Sequence, residues 1–465
     1  MTGDRGPANL GEIVTANHVS TSAIEPRRAR IIVYLLAASV AIVMTGFGII
    51  MPVFARRLDE FGSGVSALGL MTTAFALSAF VAAPFMGTLA DRIGRKPLVL
   101  LSLGSFVAVN IAFLFARSTE VFIAVRVVEG ALTAGLLPAA MGIVADIVPE
   151  EERAQRIGVV MGAMGSGIIL GPVIGGILYD LQGFEAVFIA SAAMAFGAFV
   201  FALILVPETR TRAIRRRERL RMRRESADTQ ARKQSIWASM PRPLYLFGTL
   251  LFIDFVIIFE YTFIEPQMIF YFYNTLYWST IQFGVIVAVT GIFIVVGQAL
   301  LGKYSARIGR KPVIVVGALL FTALPGALAF VTSFPLMMVF AAVAGLGLAL
   351  IMPALNAFYI DMTAERHRSR VQGLKASSGS LGGVFGPLVL AGVTTFMTPK
   401  SIFLVAAGLM LLMTLVALVA LREPPRATEK TPGYDWQWTG GRAVVAQATL
   451  RGLVARARGT GGDGG

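Results

Sequence analysis

Some ionisable residues stand inside long apolar stretches of this sequence, where a charge is costly. Asp254 and Glu260 share one stretch, and Arg126 and Glu129 share another. Charged side chains within membrane-spanning segments are rare, and they mark ion pathways and proton relays. A carboxylate surrounded by hydrocarbon favours its protonated form, so it can load a proton on one side and release it on the other. These residues therefore predict proton-coupling chemistry.

Among the acids, Asp254 lies nearest the middle of its stretch. It follows the start of the stretch 244–266 by ten residues, or about 15 Å at the helical rise of 1.5 Å per residue. The hydrocarbon core is roughly 30 Å thick. We expect Asp254 to be the first proton-coupling candidate, Glu260 the second, and Glu265 to lie at the outer rim. The alternative for Asp254 is an ordinary hydrogen bond between helices.

Arg126 and Glu129 are three residues apart, so they share one face of a helix and can neutralise each other. An arginine within a membrane helix is expensive and needs such a partner. Two interpretations stay open: a structural ion pair, or a pair whose charges take part in proton transfer.

The chain repeats itself, without a gap, after a shift of 215 residues. The string 92–97 is identical to the string 307–312. Further matches are Gly87 with Gly302, Gly130 with Gly345, Pro138 with Pro353, Asp146 with Asp361, Gly171 with Gly386 and Pro172 with Pro387. The repeat predicts two copies of one membrane unit, a common design for secondary transporters.

The loop of the first copy combines glycines with mixed charges. Its residues of interest are Gly87, Asp91, Arg92, Gly94, Arg95 and Lys96. Gly87 and Gly94 permit close helix approach and a sharp reversal, and Asp91 can pair with Arg95 or face the N-terminus of a helix. An ordinary charged loop between two membrane helices is the alternative.

This string resembles the loop signature of the major facilitator superfamily, and the resemblance extends over about 30–421. It implies an all-α membrane protein with twelve transmembrane helices in two pseudo-symmetric six-helix bundles. It also implies a conformational latch in which the loop acid and arginine act with Asp146, and a role in proton transfer for Arg126. Ala306 stands where Asp91 stands in the first copy, so a full latch is expected only in the first half.

The fifth apolar stretch carries small residues at four-residue spacing and a proline. Its motif residues are Gly167, Gly171, Pro172, Gly175 and Gly176. Small residues let helix backbones touch, and proline bends a helix; packing alone could explain them. Because they follow the loop signature, they also resemble the motif of the superfamily's antiporters, which implies export.

Composition sets the class of protein. Of the 465 residues, 56% are hydrophobic and 15% are charged, far below the roughly 25% charged residues of soluble domains. Twelve stretches are long enough to span a bilayer. They are 31–55, 65–90, 97–116, 120–145, 157–179, 185–206, 244–266, 280–301, 313–331, 335–360, 371–396 and 401–421.

Most of the 41 Lys and Arg fall on one side of these stretches. The positive-inside rule therefore predicts that both termini are cytoplasmic. Together with the family resemblance, we expect a multi-pass protein of a prokaryotic cytoplasmic membrane. The net charge of +14 suits anionic lipid, so we expect no nucleic-acid partner. We expect a cytoplasmic N-terminal tail (1–30), a first six-helix bundle (31–206), a basic cytoplasmic linker (207–243), a second six-helix bundle (244–421) and a cytoplasmic C-terminal tail (422–465).

The resemblance places the substrate cavity on the first, fourth, seventh and tenth helices. Candidates there are Tyr34, Phe47, Phe255, Phe259, Asn356 and Tyr359. Many aromatic and few polar groups suit apolar or cationic compounds. We therefore predict a proton-coupled exporter of small molecules that works by a rocker-switch mechanism. We expect it to be a monomer and not an enzyme, and to have no cofactor, metal or nucleotide site. The alternatives are a proton-coupled importer of a nutrient or metabolite, and a receptor or scaffold using the basic linker.

Overall fold

The structure is a computed structural model that describes residues 26–209, 240–241, 243–301, 308–363 and 368–422. This part holds twelve helical units long and apolar enough to cross a membrane. They are α1 (Pro26–Glu60), α2 (Val65–Ile93), α3 (Arg95–Phe115), α4 (Thr119–Thr133 and Leu136–Ile147), α5 (Glu150–Gln182), α6 (Phe184–Leu205), α7 (Leu244–Phe270), α8 (Thr280–Leu301), α9 (Arg310–Phe321 and Ala323–Leu328), α10 (Phe334–Met362), α11 (Arg368–Val393) and α12 (Pro399–Ala420). Nearly all of the predicted tails and basic linker lies outside the described residues.

Prolines account for the two interrupted helices. In α4 the break at Ala134 and Gly135 lies three to four residues before Pro138, and in α9 the break at Thr322 lies three residues before Pro325. A proline has no N–H to donate, and its ring crowds the carbonyl four residues back. Each break therefore falls where the helical hydrogen-bond ladder is weakened.

Helices α5 and α7 extend beyond the predicted stretches. α5 begins at Glu150, because Glu152 in its first turn complements the positive helix terminus and pairs with Arg156 at 2.7 Å. α7 continues through Pro266 to Phe270 and ends in a π-turn, Tyr271–Thr275. Glu265 consequently lies well inside the helix, and the expected position at the outer rim is wrong.

Helix packing repeats between the two halves. In the first half α1 packs on α5 and α2 on α4; in the second half α7 packs on α11 and α8 on α10. The halves meet through α5 against α8 and through α2 against α11. These pairs exchange under the 215-residue repeat, so the two six-helix bundles are pseudo-symmetric, as predicted.

The two halves are joined at the end where α1 and α7 terminate, here called the far end. Tyr273 Oη donates to the Pro52 carbonyl at 3.1 Å, and Arg56 donates to the Trp278 carbonyl at 3.1 Å. The Arg56 guanidinium also covers the Tyr273 ring at 3.7 Å. Further along the same end, the Ile281 amide donates to Asp180 at 3.1 Å. These contacts close the space between the halves.

At the opposite end, here called the linker end, α2 meets α3 and α6 runs towards the linker. A methyl group added at Gly171 or Gly176 of α5 would collide with a neighbouring helix, whereas one added at Gly158 or Gly162, nearer the linker end, would meet no atom within 4 Å among the described residues. Tyr34, on the same half of α1, is 52% exposed. Helix α5 is therefore packed less closely at the linker end than at the far end.

Candidate functional site

One face of α7 carries three polar side chains towards the space between the halves. Asp254, Tyr261 and Glu265 are seven and four residues apart, a spacing that aligns them on one side of a helix. Tyr261 Oη donates to Glu265 at 3.2 Å. Glu265 also interacts electrostatically with Arg126 of the other half, so this face looks across the molecular midline.

Asp254 belongs to a cluster built by three helices. The ammonium group of Lys375 on α11 lies 4.0 Å from Asp254 Oδ1 and donates to the side-chain oxygen of Asn356 on α10. Tyr359, one turn further on α10, lies beside the carboxylate, and its ring is 5.6 Å from the ammonium. The cavity candidates Asn356 and Tyr359 thus meet the first proton-coupling candidate.

Lys375 is the residue that sequence reasoning missed. The assignment of Lys and Arg residues to one side of the membrane includes Lys375 among the cations at helix ends, although it stands inside the predicted stretch 371–396. In the structure its side chain is only 17% exposed, and that of Asp254 is 8% exposed. A cation five residues into an apolar stretch was the available signal, because a buried lysine needs a carboxylate or other acceptor nearby.

Glu260 lies on a different face of α7. Six residues from Asp254 correspond to a rotation of about 240°, which places Glu260 with Ile253, Ile257 and Ile264. It is fully buried, and neither of its carboxylate oxygens has a hydrogen-bond partner among the described residues. The two predicted proton-coupling acids of α7 therefore do not share one site.

Arg126 and Glu129 form a closed ion pair within α4. Their side chains are joined at 2.8 Å and are 2% and 1% exposed. Phenylalanine rings surround the guanidinium at 4.3 to 5.3 Å, a distance range typical of cation–π contact; they belong to Phe47, Phe54 and Phe75. The arginine is thus neutralised locally and enclosed by aromatic groups of α1 and α2.

The remaining cavity candidates lie at different depths. Phe47 packs on Phe75 with 5.5 Å between ring centres, beside Arg126. Phe255 and Phe259 stack on each other at 5.6 Å, adjoining the face of α7 that meets α11. Tyr34 lies apart from both groups, near the linker end.

The loop cluster lies at the linker end and bonds within the first half. Arg95 contacts both the Asp146 carboxylate and the Gly142 carbonyl, which joins α3 to α4. Lys96 donates to the Leu203 carbonyl at 2.7 Å, which joins α3 to α6. Gly94 has a φ of 111°, a conformation that glycine adopts without strain.

The surroundings of Gly87 and Arg92, two further residues of the predicted latch, differ from those of Arg95. Gly87 has no atom within 4 Å of an added methyl group among the described residues, and Arg92 is exposed at the end of α2. The side chain of Asp91 and the whole of Ala306 lie outside the described residues. In this conformation the Arg95 contacts tie helices of one half together.

The second half contains the equivalent ion pair. Arg310 Nε lies 3.3 Å from Asp361 Oδ2, at the positions that match Arg95 and Asp146. The arginine–aspartate part of the cluster is therefore present in both halves, although only the first half carries the loop acid. Asp361, at the end of α10, thus holds the start of α9 as Asp146, at the end of α4, holds the start of α3.

The glycines of α5 form contacts on two sides. A methyl group at Gly167, Gly171 or Gly175 would collide with the backbone of α1. One at Gly176 would collide with Thr280 and Ile281 of α8, and one at Gly284 of α8 with the carbonyl of Pro172. The motif thus brings α5 against its own bundle and against the other half.

Gly284→Val is expected to separate the halves at the far end, because its side chain would meet Pro172 at their interface. The sequence contains no cysteine, so cysteines at Asp59 and Asn274, whose side chains are 3.2 Å apart, can be cross-linked without background. We expect cross-linking of that pair to fall at least about fivefold, which corresponds to roughly 1 kcal/mol. Gly158→Val, in open space, is the control, and equal cross-linking in both variants would contradict the prediction.

Comparison with known proteins identifies the family. The family model described as Major Facilitator Superfamily matches residues 36–265 and 250–440. Multidrug resistance protein MdtG of Klebsiella pneumoniae (strain 342) is 28% identical over 388 residues, covering 81% of this chain and 90% of that protein. Quinolone resistance protein NorA of Staphylococcus aureus is 23% identical over 399 residues, covering 86% and 98%.

Solved structures agree on the fold. A bacterial homologue of the human lysosomal transporter Spinster, in an inward-facing and occupied conformation, superposes with a TM-score of 0.67 at 15% identity, covering 85% of this chain and 97% of that one. The human organic anion transporter MFSD10 superposes with a TM-score of 0.60 at 21% identity, covering 84% and 99%. With its two matched repeats and twelve helices, this chain belongs to the major facilitator superfamily.

Proposed function

We propose that this transporter is a proton-coupled exporter of small, largely apolar or cationic compounds. The observation that carries the proposal is Asp254: its carboxylate is buried within the apolar part of α7, on the same face of the helix as Glu265, and one of its oxygens has no hydrogen-bond partner within 3.5 Å among the described residues. Such a group can hold either a proton or a positively charged ligand. Exchange of the two at one carboxylate is the simplest basis of antiport.

Two further findings support export. The relatives MdtG and NorA are named for multidrug and quinolone resistance, and resistance to a compound is a consequence of its removal from the cell. The α5 motif that resembles the antiporter signature packs at the α5–α8 interface. Both point to an exporter, rather than to the proton-coupled importer that the sequence alone left open.

The proposed cycle alternates between two conformations. A proton from outside binds Asp254 and favours release of the substrate, and the carrier then returns with the proton. Inside, the proton leaves and the next substrate binds. When the substrate carries no net charge, each exchanged proton moves one charge inward; a field of 100 mV then contributes about 2.3 kcal/mol, which supports about fifty-fold accumulation.

The orientation of the cycle follows from charge. The linker end carries Arg92, Arg95, Lys96, Arg310 and Lys311, and we assign it to the cytoplasm by the positive-inside rule. Both termini are then cytoplasmic, and the far end, where the halves are joined, faces outside. We propose that the protein works as a monomer in the cell membrane.

The test is a panel of apolar and cationic compounds in inverted vesicles, read by a pH-sensitive dye inside them. Export predicts that an added substrate is taken up while protons leave the vesicle. If proton and substrate move in the same direction, the transporter is a symporter and the proposal is wrong. Vesicles that lack the transporter supply the baseline for passive leakage.

A further inference from the structure

The cluster around Asp254 contains a cation that the proposed cycle does not use. Lys375 lies inside the α11 span, its ammonium 4.0 Å from Asp254 Oδ1. That separation exceeds a hydrogen bond, and the bond that the ammonium does make is to the neutral oxygen of Asn356. The two opposite charges are therefore neighbours without being bonded to each other.

This arrangement differs from the other intramembrane pair. Arg126 and Glu129 are joined at 2.8 Å within one helix and enclosed by rings, which leaves that pair little capacity for a ligand. By contrast, Asp254 Oδ2 is buried and has no hydrogen-bond partner within 3.5 Å among the described residues; the Tyr359 hydroxyl lies beside this carboxylate and interacts with it. Asp254 and Lys375 also come from different helices.

We propose that Asp254 and Lys375 together form a binding subsite for zwitterionic substrates, with the substrate ammonium on Asp254 Oδ2 and the substrate carboxylate on the Lys375 ammonium. This inference rests on the proposed function and changes the charged ligand of its cycle from a plain cation to a zwitterion. The site lies inside the membrane-spanning part of α7, about 15 Å from the start of the helix, and its two charged side chains are 8% and 17% exposed.

Charge balance favours a zwitterion over a plain cation or anion. The empty pair has no net charge, and a zwitterion adds none. A monovalent cation bound to Asp254 would leave the Lys375 ammonium facing a second cation, and an anion bound to Lys375 would leave Asp254 facing a second anion. An uncompensated charge in a buried site is strongly unfavourable, so either single-charge ligand should bind more weakly.

The same geometry provides exchange with protons. The substrate ammonium and the proton compete for one carboxylate of Asp254, so binding of one releases the other. The substrate carboxylate satisfies Lys375 while this exchange occurs. The stacked rings of Phe255 and Phe259 continue along α7 from Asp254 and offer apolar surface for the body of the molecule.

Three fluorescent probes of nearly equal size test this subsite. Nε-dansyl-lysine is a zwitterion, its methyl ester is a cation, and its Nα-acetyl derivative is an anion. Binding to the purified full-length transporter in lipid nanodiscs is followed by dansyl fluorescence. We expect the zwitterion to bind at least about tenfold more tightly than either blocked probe, which corresponds to about 1.4 kcal/mol.

Variants assign the preference to the two residues. Lys375→Met is expected to weaken binding of the zwitterion at least about tenfold. The same variant is expected to change the affinity for the cationic ester less than about threefold. Asp254→Asn is expected to weaken the zwitterion and the ester but not the anion. Ser377→Ala, an exposed position two residues along α11, is the matched control and is expected to bind all three probes as the wild type does.

The charge swap Asp254→Lys with Lys375→Asp covers the case in which a single variant fails to fold. The swap restores one charge of each sign, so we expect it to prefer the zwitterion again. The inference is overturned if the wild type shows no preference for the zwitterion or does not bind it. It is equally overturned if Lys375→Met weakens all three probes alike, since Lys375 is then only an internal counter-ion, or if the swap shows no preference.

These results are independent of the vesicle assay for export. Binding of the probes needs no proton gradient, so a wild type that exchanges cationic compounds for protons, yet binds the ester as tightly as the zwitterion, keeps the proposed function and loses this inference. Conversely, the wild type could prefer the zwitterion in the binding assay and yet move substrate and proton in the same direction in the vesicle assay. That pair of results would support the subsite and contradict the proposal of an exporter.

Discussion

Asp254→Asn is expected to abolish proton-driven transport while leaving the protein folded. Asparagine has nearly the same shape as aspartate, but its side-chain amide does not take up or release a proton at physiological pH. The variant should therefore lose the accumulation that one coupled charge supports, about fifty-fold in a field of 100 mV. The measurement is substrate-dependent dye response in inverted vesicles, with the amount of inserted protein matched to the wild type.

Glu260→Gln is the control for this experiment, because it removes an acid of the same helix. Glu260 lies on the buried face of α7, with no hydrogen-bond partner for its carboxylate among the described residues. We expect this variant to keep the gradient dependence of the wild type. Wild-type dependence in Asp254→Asn as well would exclude both acids as carriers of the proton, and loss in Glu260→Gln alone would reverse our assignment.

Glu129→Gln is expected to destabilise the first bundle by about 3–5 kcal/mol, the usual cost of leaving a buried charge without its partner. The structural reason is the isolation of Arg126, whose side chain is 2% exposed and whose ion-pair partner is Glu129 at 2.8 Å. The measurement is thermal unfolding of the purified protein in detergent, followed by circular dichroism. An unfolding temperature equal to that of the wild type would show that the arginine finds another partner.

The double variant Arg126→Met with Glu129→Leu separates the two interpretations of this pair. It removes both charges and keeps apolar volume, so most of the lost stability is expected to return. If the pair is structural, the double variant transports with the gradient dependence of the wild type. If the pair moves protons or balances the charge of the substrate, the variant is stable but uncoupled.

Depth in the membrane could be predicted from the sequence, but direction around the helix axis could not. Counting residues from the end of the stretch placed Asp254 near the midplane, because each residue of a helix advances a fixed 1.5 Å. The same counting left Glu260 as the second candidate. Helix geometry alone separates the two carboxylates by about 240°, but only the packing of α7 in the bundle shows which of them lies on the face that looks across the midline.

Lys375 illustrates a second limit. Its pairing with Asp254 joins residues 121 positions apart in the chain, and its bond to Asn356 joins α11 to α10. No local pattern predicts which helices become neighbours in the interior of a bundle. The position of Glu265 failed for a related reason: a proline was taken as the end of α7, whereas a membrane helix can continue through a proline.

The order of the residues by itself determined the twelve spans, the two related halves and the small residues at which helices meet, because hydrophobic length, internal repetition and side-chain size are properties of the chain. The tertiary structure alone decided which end is closed, which acid faces the space between the halves and which cation stands beside it. Those features depend on rotation of each helix about its axis and on crossings between distant segments, and packing of the whole bundle sets both.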